Sequence, residues 1–225
     1  MAGGRVEAVR IGPLGLEALL GVPPGARGIV IFAHGSGSGR LSPRNNFVAA
    51  GLRQAGLATL LFDLLTPDEE RIREKVFDIG LLASRLVLAT RWVREGPHGL
   101  RIGYFGASTG AAAALGAAAS AEGRVAAVVS RGGRPDLTGA ALGRVRAPTL
   151  LVVGGLDGPV IGLNRQAYEA LGCEKELVIV PGAGHLFEEP GTLGEVVRHA
   201  SRWFVRHLRG DPEDIRDVRS RSGLR

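Results

Sequence analysis

The chain has 225 residues, 45% of them hydrophobic, with a formal net charge of +6 and a single cysteine. That is enough apolar material for one substantial core, and no apolar stretch reaches the ~18 residues of a membrane span. One cysteine excludes an internal disulfide, and Met1-Ala2-Gly3-Gly4-Arg5-Val6-Glu7 lacks the apolar core of a signal peptide, so the expected compartment is the cytoplasm.

The basic excess does not read as a nucleic-acid footprint. Residues 198–225 carry eight Arg against four acidic residues, which accounts for most of the surplus. No basic face interleaved with aromatics accompanies it, so neither nucleic acid nor membrane is expected as a partner.

Val6 to Ile11 and Leu16 to Val22 read as two short strands joined by Gly12-Pro13, an antiparallel hairpin at a sheet edge. Residues 28–33 form a strand running into His34-Gly35-Ser36-Gly37-Ser38-Gly39. A glycine-rich loop after an early strand can lend a backbone amide to an oxyanion; Ser36 is the expected donor, with Gly35 beside it. A phosphate-cradling loop would need a Lys-Ser/Thr ending or G-x-G-x-x-G, and neither is present. His34 is expected to anchor the loop by hydrogen bonds. A helix follows from Pro43 to Ala55, then a nearly all-apolar strand from Leu57 to Leu64, as a sheet covered on both faces demands. Thr66-Pro67-Asp68-Glu69-Glu70 supplies a cap, a proline and early acids for one long helix from Asp68 to Arg94.

The strand 100–106 ends in Gly106-Ala107-Ser108-Thr109-Gly110, and an alanine-rich helix, 109–121, follows at once. This pattern is a nucleophile elbow: a serine on a sharp strand-to-helix turn, with glycines two residues either side to let strand and helix pack closely. A serine that merely caps the helix is the plain alternative. Strand 125–130 leads to Arg131-Gly132-Gly133-Arg134-Pro135-Asp136 and a short helix near 136–145. Arg131 and Arg134 either meet a substrate carboxylate or phosphate, or pair with Asp63, Asp68 or Asp136. Strand 149–154 runs into Gly154-Gly155-Leu156-Asp157, 49 residues after Ser108. After a helix at 161–171, strand 176–180 leads to Pro181-Gly182-Ala183-Gly184-His185, another 28 residues on. A helix at 192–208 closes the series. The alternation predicts a doubly wound, mostly parallel sheet flanked by helices, without a large cap, forming one domain over 1–209. Residues 210–225 read as a charged, mobile tail.

An acyl-transfer serine needs a base, an acid that orients the base, and donors for the oxyanion. Ser108, Asp157 and His185 occur in the order Ser, Asp, His, each just past the carboxyl end of a strand, where open parallel sheets present reacting groups.

On F-A-H-G-S-G-S-G, G-Y-F-G-A-S-T-G-A-A-A-A-L, L-L-V-V-G-G-L-D and V-P-G-A-G-H-L-F, spread over about 28–208, the chain resembles the α/β-hydrolases, most closely the small dienelactone hydrolase-like members. The resemblance implies Ser108 as nucleophile, His185 as general base, Asp157 as the orienting acid, and the amides of Ser36 and Thr109 as the oxyanion hole. It implies no cofactor and no metal. Dienelactone hydrolases proper use a cysteine nucleophile; this elbow carries serine, and Cys173 falls elsewhere. The expected activity is hydrolysis of a small ester, lactone or thioester. Amide cleavage, acyl transfer or perhydrolysis with the same triad, or a non-catalytic binding role on the same scaffold, stay open.

Overall fold

A computed structural model describes residues 5–96 and 99–208; the charged stretch 210–225 lies outside the described residues. Strands β1 (Val6–Ile11) and β2 (Leu16–Gly21) form the antiparallel hairpin. They are followed by β3 (Ile29–Ala33), β4 (Ala58–Phe62), β5 (Ile102–Ala107), β6 (Ala127–Arg131), β7 (Thr149–Gly154) and β8 (Lys175–Val180). The eight strands form one sheet in the order β1-β2-β4-β3-β5-β6-β7-β8, parallel from β4 to β8. The five strands from β4 to β7 in that order are buried at every position, whereas edge strands β1 and β8 are largely half-exposed or exposed. The sheet is therefore covered on both faces at its centre, which is why those strands read as unbroken apolar runs.

Helices α1 (Pro43–Gln54) and α7 (Thr192–His207) cover one face. On α7, Val196, Ala200, Trp203 and Phe204 recur at helical spacing and are buried against that face. The other face carries α4 (Ile79–Glu95), α5 (Thr109–Ala118) and α6 (Gly158–Ala170), with a 3-10 segment at Pro135–Arg144. Helix α5 is buried almost all round, and its alanines let it lie close to both sheet and α4; Gly116 faces Ala83 Cβ. Beneath it Tyr104 is fully buried, its hydroxyl 2.5 Å from Thr90 Oγ1, and burial pushes the phenol up to about 12.

The long helix expected over Asp68–Arg94 is three pieces: α2 (Pro67–Glu70), α3 (Arg73–Val76) and α4. Thr66 and Glu69 close a capping box on α2. Ile72 is extended, and Asp78 starts a new helix by accepting from Leu81 N at 2.9 Å. Asp78 is a cap competing with helix continuation, a choice that uniform helical propensity conceals.

Three histidines, His34, His199 and His207, have pKa values held below the ordinary 6.5, in each case chiefly by burial. Below that value the unfolded chain binds more protons than the native one, so acid destabilises the fold. The unfolding free energy in urea should be nearly insensitive to these groups well above their ordinary pKa of 6.5 and should decline as the pH falls below it. His34→Gln should make the decline shallower; an unchanged slope would show that His34 plays no part in it.

Candidate active site

Ser108 stands between β5 and α5 with φ 52° and ψ −121°, a conformation that side-chain-bearing residues avoid. The turn is enforced sterically. A Cβ on Gly106 would lie 2.4 Å from Ala111 Cα, and one on Gly110 would lie 2.2 Å from Ala33 O. Backbone bonds lock the strained residue in place: Ser108 N donates to Arg131 O at 3.2 Å, and Ser108 O accepts from Arg134 N at 3.1 Å. The hydroxyl makes no capping bond to α5, which removes the plain reading of Ser108 as a helix cap. It has no hydrogen-bond partner among the described residues.

Asp157 and His185 are brought together by the ends of β7 and β8. Gly155 N donates to Val180 O at 2.8 Å and Leu156 N to Ala183 O at 2.9 Å, zipping the two loops side by side. Gly154 is needed for this, since a Cβ there would stand 2.4 Å from Ala183 O. Asp157 occupies the N-cap position of α6, yet its carboxylate does not cap that helix. It lies instead 2.6 Å from His185 Nδ1, which donates to it. This bond fixes the tautomer that leaves Nε2 as the acceptor, the arrangement a general base requires. The Asp157 side chain is 12% exposed and that of His185 38%, so the acid is sheltered and the imidazole faces outward.

The loop after β3 packs against the elbow, with Gly35 so close that a Cβ would lie 3.1 Å from Ser108 Cβ. His34 anchors it: Nδ1 donates to Gly35 O at 3.0 Å and Nε2 accepts from Leu64 N at 3.1 Å. Both nitrogens are used, and burial favours the neutral ring. Arg40 ties the far end of the loop to Asp63 through its backbone amide, at 2.7 Å, and through an ion pair; it pairs with Glu17 as well. The Ser36 amide donates to Thr109 Oγ1 at 2.9 Å.

A cavity of about 890 Å³ opens beside Ser36 and Thr109. Its walls mix apolar Leu41 and Phe77 with Arg71 and Arg73. Arg73 lies 5.6 Å from the Phe77 ring centroid, and Arg71 reaches Asp68 only at 3.8 Å. The break of the expected long helix at Ile72 and Asp78 puts α2 and α3 here, and an unbroken helix over 68–94 hides both arginines from a sequence reading. The signal that could have found them is Asp78, a capping residue four positions before Leu82, where the buried face of α4 begins.

Arg131 does not form the expected ion pair. It is 6% exposed, lies outside the cavity wall, and has no acidic partner among the described residues. Its guanidinium donates to Leu186 O and Asn45 Oδ1 at 3.4 Å each and lies 5.8 Å from the Phe187 ring centroid. Burial, and then the nearby Arg44 charge, push its pKa down to about 10. It props the loop that carries His185. Arg134 follows the ion-pair alternative, meeting Asp136 with two bonds of 2.9 and 2.7 Å.

No protein-family model matches the chain. A dienelactone hydrolase structure from Anabaena variabilis is 57% identical, with a TM-score of 0.87 over 92% of this chain and 99% of its own. An α/β serine hydrolase without a lid from Xanthomonas campestris is 22% identical, with a TM-score of 0.73 over 92% and 97% of the two chains, and shares the fold. A Mycobacterium tuberculosis protein provisionally named a phosphoribosyl transferase is 58% identical over 210 residues, 92% of this chain and 47% of its own length. The chain thus spans about half the length of the curated relatives it matches. Among the described residues no helix is long and apolar enough to cross a membrane. By its identity to the Anabaena structure across nearly the whole of both chains, this chain belongs to the dienelactone hydrolase family of α/β hydrolases.

Proposed function

We propose that the chain is a serine hydrolase cleaving a small ester, lactone or thioester, with Ser108 as nucleophile, His185 as general base and Asp157 as the acid that orients it. The observation that carries this reading is a strained serine with an uncommitted hydroxyl at the end of β5, together with an Asp157–His185 pair at 2.6 Å where the loops after β7 and β8 run side by side. As Ser108 Oγ attacks the carbonyl carbon, His185 Nε2 takes its proton. The tetrahedral intermediate collapses to an acyl-enzyme, and the leaving alcohol or thiol takes that proton from His185. Water, activated by the same nitrogen, then releases the acid and restores Ser108. Asp157 stays ionised and stabilises the imidazolium.

One domain over 1–209 and a cytoplasmic location fit this reading. The name of the longer relatives attaches to proteins about twice this length, and we assign it to the part of them that this chain does not span. The cavity fits a substrate with a small apolar portion against Leu41 and Phe77 and an anionic group toward Arg71 and Arg73.

Hydrolysis of p-nitrophenyl acetate, butyrate and octanoate tests the reading. Ser108→Ala should lower kcat by ~10³-fold or more and abolish labelling by a fluorophosphonate. Turnover that survives in this variant would sink the serine mechanism. Arg73→Ala should raise KM for acidic esters by ~10-fold and leave neutral ones nearly unchanged. Arg131→Ala should impair both classes alike, because it disturbs the histidine loop; a loss confined to acidic esters would instead place Arg131 against the substrate.

A further inference from the structure

Thr109 begins α5, is 6% exposed and lines the cavity. Its Oγ1 accepts from the Ser36 amide, so the loop amide expected to hold the oxyanion is already engaged. A threonine hydroxyl has one proton and two lone pairs. The hydroxyls of Thr90, Thr138, Thr149 and Thr192 each donate to a backbone carbonyl. That of Thr109 has no acceptor among the described residues, so its proton is available to the cavity. Its own amide also lacks a carbonyl partner there, as the first turn of a helix dictates.

We propose that the Thr109 hydroxyl is itself an oxyanion donor, relaying the Ser36 amide to the substrate. The chain runs from Ser36 N–H to Thr109 Oγ1, and from Thr109 Oγ1–H to the oxyanion, with the Thr109 amide as the companion donor. Each bond in such a series polarises the next. The opposite arrangement would make the hydroxyl a plug that swings aside to free Ser36. That requires a stiff β-branched side chain to change rotamer and a partly buried amide to lose its partner. The loop cannot turn to compensate, because His34 and Arg40 pin it on both sides of Ser36.

This inference rests on Ser108 being the nucleophile, which Ser108→Ala tests separately. Thr109→Val keeps the shape and removes the hydroxyl; Thr109→Ser keeps the hydroxyl. With p-nitrophenyl butyrate, Thr109→Val should lower kcat by ~10²-fold with KM within ~3-fold of wild type, and Thr109→Ser should recover most of the loss. Affinity for a small alkyl trifluoromethyl ketone, whose adduct carries the oxyanion, should fall by a similar factor in Thr109→Val alone. A merely structural loss would not follow the hydroxyl through both readouts. Unchanged kcat in Thr109→Val, or unchanged inhibitor affinity, overturns the proposal, and a raised kcat overturns it in favour of a plug.

Discussion

Where β5 turns into α5, the backbones of β3, β5 and α5 pass closer than a methyl group permits, as the 2.4 Å and 2.2 Å approaches of a Cβ at Gly106 and Gly110 show. Glycine at both positions lets the helix start directly above the strand. Ser108, midway between them, is then forced to positive φ, which lifts its hydroxyl clear of α5. The same proximity seats the His34–Gly39 loop against the elbow and lets Thr109 meet Ser36. A second close passage, Gly154 under Ala183 and Gly184, holds Asp157 and His185 together. Ser108, Asp157 and His185 are positioned by steric exclusion between backbones, a constraint stiffer than any single hydrogen bond.

Helix direction organises charge around this end. In a parallel sheet with right-handed crossovers, helices begin above the strand ends and finish at the opposite floor. The N-terminus of α5 therefore points its free amides at the elbow, a setting that favours negative charge. At the floor, Arg101, Arg124, Arg144 and Arg146 line a cleft of about 750 Å³ around the end of α5. Cations there complement helix C-termini.

Much of this architecture is legible in the residues. Strands announce themselves because a doubly covered sheet demands continuous apolar runs, and Ser108, Asp157 and His185 stand out because each follows such a run. The long helix fails at Ile72 and Asp78, where a local side-chain cap overrides propensity. Arg131 is illegible because nothing in its neighbours along the chain reveals that the His185 loop folds over it.

The parallel sheet and the strand ends at which chemistry-bearing residues fall are written in the residues, since they follow from apolar runs and from glycines at the turns. Which side chains meet is settled by packing: Asp157 meets His185 rather than capping α6, Arg71 and Arg73 line the cavity, and Thr109 engages Ser36. Those pairings join segments tens of residues apart, and their partners are selected by packing in three dimensions, which local spacing does not encode.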